Sequence, residues 1–209
     1  GVGSFGLAGC FSCYWAKILG AYGNAGVVTT DDEEVAKKIG GYRFHYDIGK
    51  VPVNEVIDYG FTMELDNLQA CILNCRFKYL LDNIKRRQEI ADMYYEGLKD
   101  LEETGKIKLP LKQNGRVYQD FVIRIPKRKV ELVEHFKKND IEILGHDLTP
   151  NHFYPKLNLK FSLPKTEQYI REQIRIPCSE NLTNEEVVYV INNIQNFFPR
   201  LEDFDSRRG

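Results

Sequence analysis

Residues 10–30 read Cys-Phe-Ser-Cys-Tyr-Trp-Ala-Lys-Ile-Leu-Gly-Ala-Tyr-Gly-Asn-Ala-Gly-Val-Val-Thr-Thr, and the rest of the chain is organised around them. Two short apolar strands, 10–15 and 26–30, flank a loop in which Gly20, Gly23 and Gly26 follow at intervals of three. Lys17 stands just past the first strand, among apolar neighbours. A lysine there is either a surface residue or an amine held in a dry pocket. In the second case its pKa falls and it becomes a usable nucleophile towards a carbonyl. Ser12 lies five residues earlier. Because glycine lets a backbone approach a ligand closely, hydroxyl, amine and loop together suit a cofactor bearing an aldehyde and a phosphate.

Around this stretch the composition is that of a soluble globular protein, with 209 residues, 43% of them apolar and 28% charged. The 29 basic and 30 acidic residues leave a net charge of −1, which argues against an electrostatic nucleic-acid binder. No apolar run approaches the roughly 18 residues of a membrane span. Cys10, Cys13, Cys71, Cys75 and Cys178 make an odd count. With no leader-like opening, they lead to the expectation of reduced thiols in a cytoplasmic protein. Cys10 and Cys13 form C-x-x-C inside an apolar strand, where free cysteine packs as a small hydrophobe, so no metal site is expected. Gly1-Val-Gly3-Ser-Phe-Gly6 spells a dinucleotide fingerprint, but the apolar strand 10–15 follows it where the fingerprint needs a helix, so no dinucleotide site is expected.

Further along, Asp31-Asp32-Glu33-Glu34 predicts a helix to about Tyr42, with Asp31 and Glu34 set as a capping box. Residues 46–60 read as a loop. Apolar residues from Leu68 to Leu101 recur near a 3.6-residue period, predicting one long helix capped by Asp66 and Gln69 and ended at Gly105. A helix of that length reads as a bridge between two domains, bent midway. Strands are expected at 118–125, 141–144 and 174–178, with a helix over 129–138 between the first two. A capping box at Thr183…Glu186 opens a last amphipathic helix over 187–198, and the tail from Leu201 is expected to fray. Lys85-Arg86-Arg87 and Lys127-Arg128-Lys129 read as solvated basic faces. Among the histidines, His135 reads as surface or partly packed, and His45 and His146 flank loops.

FSCYWAKILGAYGNAGVVTTDD, residues 11–32, resembles the lysine segment of the DegT/DnrJ/EryC1/StrS family of pyridoxal-phosphate-dependent sugar aminotransferases. Phe11, Ser12, Lys17, Leu19, Gly20, Gly23, Gly26, Thr30 and Asp32 carry the match, while Trp15 and Ile18 depart from it. Tyr42-Arg-Phe-His45 is similar to the family's Leu-Arg-x-His, with Tyr46 in place of glycine. Gly60 to Cys71 resembles Gly-x-Asn-x-Arg-Met-x-x-Leu-Gln-Ala-Ala, with Thr62 where the family has asparagine and Glu64 where it has arginine. Pro150-Asn-His152 resembles a Pro-x-His segment.

The resemblance implies an α/β architecture of pyridoxal-phosphate transferase fold type I, like aspartate aminotransferase. It also implies that the chain is the second half of a longer protein. Residues 1–90 would be the remainder of the large domain with the start of the bridging helix, and 91–209 the small C-terminal α/β domain. It implies pyridoxal 5′-phosphate as cofactor, Lys17 as catalytic residue, and Ser12, Lys17 and Thr62 as cofactor contacts. Thr62 would reach the phosphate of a partner subunit, and Glu64 would reverse a charge beside it. His152 would lie beside the substrate, a nucleotide-linked keto sugar, with glutamate as amino donor and a homodimer as the assembly. Two rivals remain: a sugar dehydratase of the same family, against which Lys17 speaks, and a non-catalytic fragment or degenerate paralogue.

Overall fold

The apolar runs on either side of the glycine loop form two strands, β1 (Gly9–Ser12) and β2 (Gly26–Thr29). The computed structural model describes residues 2–45, 60–145 and 147–198. The strands pair antiparallel, Gly9 opposite Thr29 and Ser12 opposite Gly26, within the longer ranges expected. Helix α1 (Glu33–Arg43) is capped by Asp32, one residue later than the predicted Asp31. Asp32, in extended backbone, accepts from Val35 N–H at 2.9 Å, and its own N–H donates to Thr30 Oγ1 at 3.1 Å. Neither α1 nor α2 (Asn67–Phe77) buries a residue in this chain. Large apolar side chains such as Phe5, Tyr22, Leu68 and Leu81 stand more than two-thirds exposed.

The predicted long helix is three helices: α2, α3 (Leu80–Gly97) and α4 (Lys99–Glu103). Between α2 and α3 the ladder tightens to a three-residue closure, Tyr79 N–H to Arg76 O at 3.0 Å. Leu98, at φ −109° and ψ 4°, breaks the second junction. The chain divides into compact units Gly1–Leu81 and Asp82–Gly209, the boundary falling in the first turn of α3 rather than at residue 90. Asp66 occupies the N-cap of α2, but its side chain makes no capping bond.

In the second unit, β3 (Phe121–Arg124) and β4 (Gln173–Ile176) pair antiparallel. Single bridges extend this pair at Lys108 beside Arg124 and at Leu144 beside Arg175. The strand expected over 141–144 is therefore reduced to one bridge, because Gly145 turns away at φ +68°. Helix α5 (Lys129–Lys138) matches its predicted span. Helix α6 (Pro164–Glu172) has no counterpart among the sequence expectations: proline starts it, and Tyr169 and Ile170 alone among its residues are large and apolar. Helix α7 (Asn184–Phe197) carries the expected reciprocal capping box of Thr183 and Glu186. Ile90, Ala91, Tyr94 and Leu98, along α3 and just past its end, face Phe121 and Ile123 of β3, Phe136 of α5 and Val187 and Ile194 of α7 in one core. The 3.6-residue spacing selects the α3 face that enters it.

Arg87 corrects the reading of its basic run. It is buried, and its Nε and Nη2 lie 2.7 and 2.6 Å from Glu180 Oε2. Its Nη1 donates to the carbonyls of Tyr118, Gln119 and Cys178 at 3.1, 3.1 and 2.7 Å. In the other run, Arg128 pairs with Glu131 and stacks on Phe197, and Lys129 Nζ donates to Ile170 O at 3.0 Å. Burial lowers the Lys129 pKa, so this run is not a free cationic face either. Glu172 is buried as well: burial would raise its pKa, but hydrogen bonds from Gln168 and Arg124 and the Arg124 charge leave it lowered.

All five cysteines are free thiols: Cys10, Cys71 and Cys75 are exposed, and Cys13 and Cys178 are buried. Burial raises both buried thiols, Cys178 up to about 11 despite the opposing Arg87 charge. Alkylation needs the thiolate, so iodoacetamide at neutral pH should label Cys10, Cys71 and Cys75 of the folded chain and spare Cys13 and Cys178. Because its folded pKa is raised, the contribution of Cys178 to stability is full below about pH 8.5 and is lost as pH climbs towards 11. Mass-spectrometric mapping that finds Cys178 labelled as fast as Cys71 would contradict this packing.

The loop expected over 46–60 falls, but for Gly60, outside the described residues, as do His146 and the residues from 199 onward. No described helix is long and apolar enough to cross a membrane.

Candidate active site

The end of β1 brings Ser12 and Lys17 onto one residue. Tyr14 N–H donates to Ser12 Oγ at 3.3 Å, and Lys17 N–H donates to Tyr14 O at 2.8 Å, so serine and lysine are bound to opposite ends of Tyr14. The turn that follows is tight. A Cβ on Gly20 would stand 2.5 Å from Trp15 O and 2.7 Å from Tyr14 O, so no other residue fits without moving the turn that carries Lys17. Likewise a Cβ on Gly26 would meet Phe11 O on the facing strand at 3.2 Å. Gly20 and Gly26 therefore serve the packing of the loop on itself.

Lys17 is exposed, so the dry pocket is not supplied by the described residues. Its ammonium has no hydrogen-bond or ion-pair partner among them. Ser12 Oγ accepts one bond and keeps its O–H to donate. An unpaired amine and a free hydroxyl donor fit the two ends of pyridoxal 5′-phosphate, amine to aldehyde and hydroxyl to phosphate.

Thr62 belongs to the same unit but sits at a different junction. It bridges Phe44 antiparallel, just past α1, and its Oγ1 is hydrogen-bonded to His45 Nε2 at 2.8 Å. The close approach needs Gly60, where a Cβ would lie 2.4 Å from His45 Cα. No hydrogen bond joins Thr62 to Ser12 or Lys17 among the described residues. Glu64 is exposed.

His152 lies in the second unit, on a short 3₁₀ turn (Asn151–Phe153). Its side chain is only 4% exposed, with Nε2 3.0 Å from Glu167 Oε1 on α6. Phe153 and Phe161 flank the ring at 4.7 and 5.9 Å. The hydrogen bond from His152, opposed by burial, holds the Glu167 carboxyl below its usual range. A lowered carboxyl pKa contributes stability that is present above about pH 4.3 and is lost as pH falls through the folded value. Open grooves of about 590 and 630 Å³ lie in this unit, and His152 lines neither of them. No group of three potential metal ligands occurs among the described residues.

Tyr14, His45, Gln69 and Glu167 are the neighbours that sequence reading missed. The sequence pairs Gln69 with Asp66 as a cap, yet the Gln69 side-chain carbonyl accepts from Tyr22 N–H in the lysine loop at 2.8 Å. Partners so distant in sequence leave no periodic signal.

The chain matches the family model described as "DegT/DnrJ/EryC1/StrS aminotransferase family" over residues 1–195. A protein of Geobacillus stearothermophilus named "Pleiotropic regulatory protein" is 32% identical over 94% of this chain and 53% of its own length. The dTDP-3-amino-3,6-dideoxy-alpha-D-galactopyranose transaminase of Aneurinibacillus thermoaerophilus is 32% identical over 94% of this chain and 53% of its own. Among solved structures, NtdA of Bacillus subtilis with bound cofactor PMP superposes with a TM-score of 0.80 at 28% identity, covering 92% of this chain and 46% of its own. The chain spans about half the length of the curated relatives it matches.

Proposed function

The chain belongs to the DegT/DnrJ/EryC1/StrS aminotransferase family, and on that premise we propose that the protein transfers an amino group to a nucleotide-linked keto sugar. The observation that carries the reading is the family match over residues 1–195, with Lys17 unpaired and linked to Ser12 through the backbone of Tyr14 at the end of β1. The transaminase of a dTDP-linked amino sugar among the relatives supports the substrate class. Glutamate is the amino donor in this reading, the protein is cytoplasmic, and it works as a homodimer. The exposed apolar side chains of the first unit support an assembly in which that surface is covered. The two units correspond to the remainder of a large domain and a small C-terminal domain.

Pyridoxal 5′-phosphate, when bound, supplies an aldehyde for amine exchange and a conjugated ring that stabilises negative charge at the adjoining substrate carbon. Lys17 would hold the cofactor through Nζ, and the same amine would hold and move the proton during exchange. Ser12 donates its hydroxyl hydrogen to the phosphate. Thr62 donates to the phosphate of the partner subunit, its hydroxyl oriented by His45. His152, held by Glu167, borders the sugar.

Borohydride reduction of the full-length protein loaded with pyridoxal 5′-phosphate, followed by peptide mapping, tests the reading. The label is expected on Lys17, and a label on any other lysine refutes it. Thr62 carries a separate prediction. Asparagine reaches further than threonine, and a hydrogen bond to a charged phosphate decides about tenfold in affinity. Thr62→Asn should therefore lower, and Thr62→Val raise, the Kd for pyridoxal 5′-phosphate by about that factor. Equal affinities in a spectral titration would remove Thr62 from the phosphate site.

A further inference from the structure

The loop that carries Lys17 closes on a single residue at its base. Cys13 O accepts from Ala21 N–H, and Cys13 N–H donates to Ala25 O, both at 2.9 Å. Between these closures the chain bends through residues 22–23, beyond the reach of the β1–β2 ladder. Tyr22 N–H would there face only water. It donates instead to Gln69 Oε1, from a half-buried side chain on α2 that lies 47 residues away in sequence. Gly23 rests against the same amide, its Cβ position 3.6 Å from Gln69 Nε2. The ladder restrains the base of the loop, and Gln69 restrains its far side.

We propose that Gln69 is a positioning residue for Lys17, its carbonyl oxygen pinning the loop and thereby setting where the amine stands. This inference rests on the reading of Lys17 as the amine that carries the cofactor. Gln69 itself does not touch the reacting atoms. Its effect is exerted through the backbone: Tyr22 N–H, Ala21, the Cys13 closure and the turn from Tyr14 to Gly20 form one bonded sequence. Displacing a reactive group by about an ångström costs up to about a hundredfold in rate, so loosening one anchor of a short loop is visible in the chemistry of Lys17.

The test uses the full-length protein, pyridoxal 5′-phosphate as probe, and the variants Gln69→Met, Gln69→Ala and Gln69→Glu. Methionine keeps the length and loses the acceptor, alanine removes the whole group, and glutamate keeps an acceptor oxygen. Loss of one neutral hydrogen bond predicts that Gln69→Met and Gln69→Ala slow reductive labelling of Lys17 about tenfold. They should also shift the pH midpoint of the visible band of the bound cofactor and speed amide exchange in the peptide over 13–25. Gln69→Glu should restore all three towards wild type. Wild-type labelling, midpoint and exchange in whichever acceptor-free variant folds would overturn the proposal while leaving Lys17 in its role. Equal impairment by glutamate would do the same, because the acceptor oxygen would then be irrelevant. A wild-type protein labelled elsewhere than Lys17 defeats the underlying reading instead, and the two failures are told apart by the wild-type map alone.

Discussion

Lys17→Ala in the full-length protein is expected to abolish covalent capture of pyridoxal 5′-phosphate and to lower transamination by at least about 10³-fold. That range is typical for loss of a positioned acid–base group, to which the lost attachment adds. The reasoning begins with chemistry: alanine offers no amine to the aldehyde and no proton carrier at the substrate carbon. Lys17→Arg separates charge from nucleophilicity, since its guanidinium remains protonated and cannot add to the carbonyl. It should keep phosphate affinity near wild type while losing attachment and turnover. The mutated side chain is exposed and unpaired, so thermal stability should change by less than about 0.5 kcal/mol, as for ordinary surface sites. Activity surviving in Lys17→Ala would end the assignment.

The second large effect concerns stability. Arg87→Ala is expected to destabilise the second unit by about 3–5 kcal/mol, the cost of leaving a buried charge without its partner. Glu180 would lose its counter-ion, and the carbonyls of Tyr118, Gln119 and Cys178 would lose their shared donor at once. Those carbonyls belong to the segments that lead into β3 and out of β4. The damage should therefore reach the sheet, not only the surface of α3. Glu180→Gln should cost less, since its amide oxygen can still accept from Arg87. Combining Arg87→Met with Glu180→Leu should recover part of the loss by removing both charges. Urea denaturation with an unchanged m-value gives the comparison. If Arg87→Ala unfolds within about 0.5 kcal/mol of wild type, the network contributes no more than a surface pair.

Much of the candidate site was legible because its signals are local. The strand, turn and strand around Lys17, the span of α5 and the Thr183–Glu186 box each depend on residues within a few positions of one another. Spacing alone encodes them. The first cap fell one residue from its predicted place: Asp32, in extended backbone, accepts from Val35 N–H in place of the predicted Asp31. Ile141 and Ile143 have strand-like character, yet one bridge forms because pairing also needs a free edge and a chain that does not turn at Gly145.

Residues 10–32 carried most of the resemblance to the family and named Lys17 and Ser12 as candidates, since that resemblance rests on residue identity at fixed spacing. The tertiary structure alone decided which arginine of Lys85-Arg86-Arg87 is buried, which helix holds the lysine loop, and which carboxylate holds His152. Each of those is a hydrogen bond between groups 15 to 93 residues apart. Such a bond forms only where folding has stripped water from donor and acceptor together, and no periodicity in the chain records where that happens.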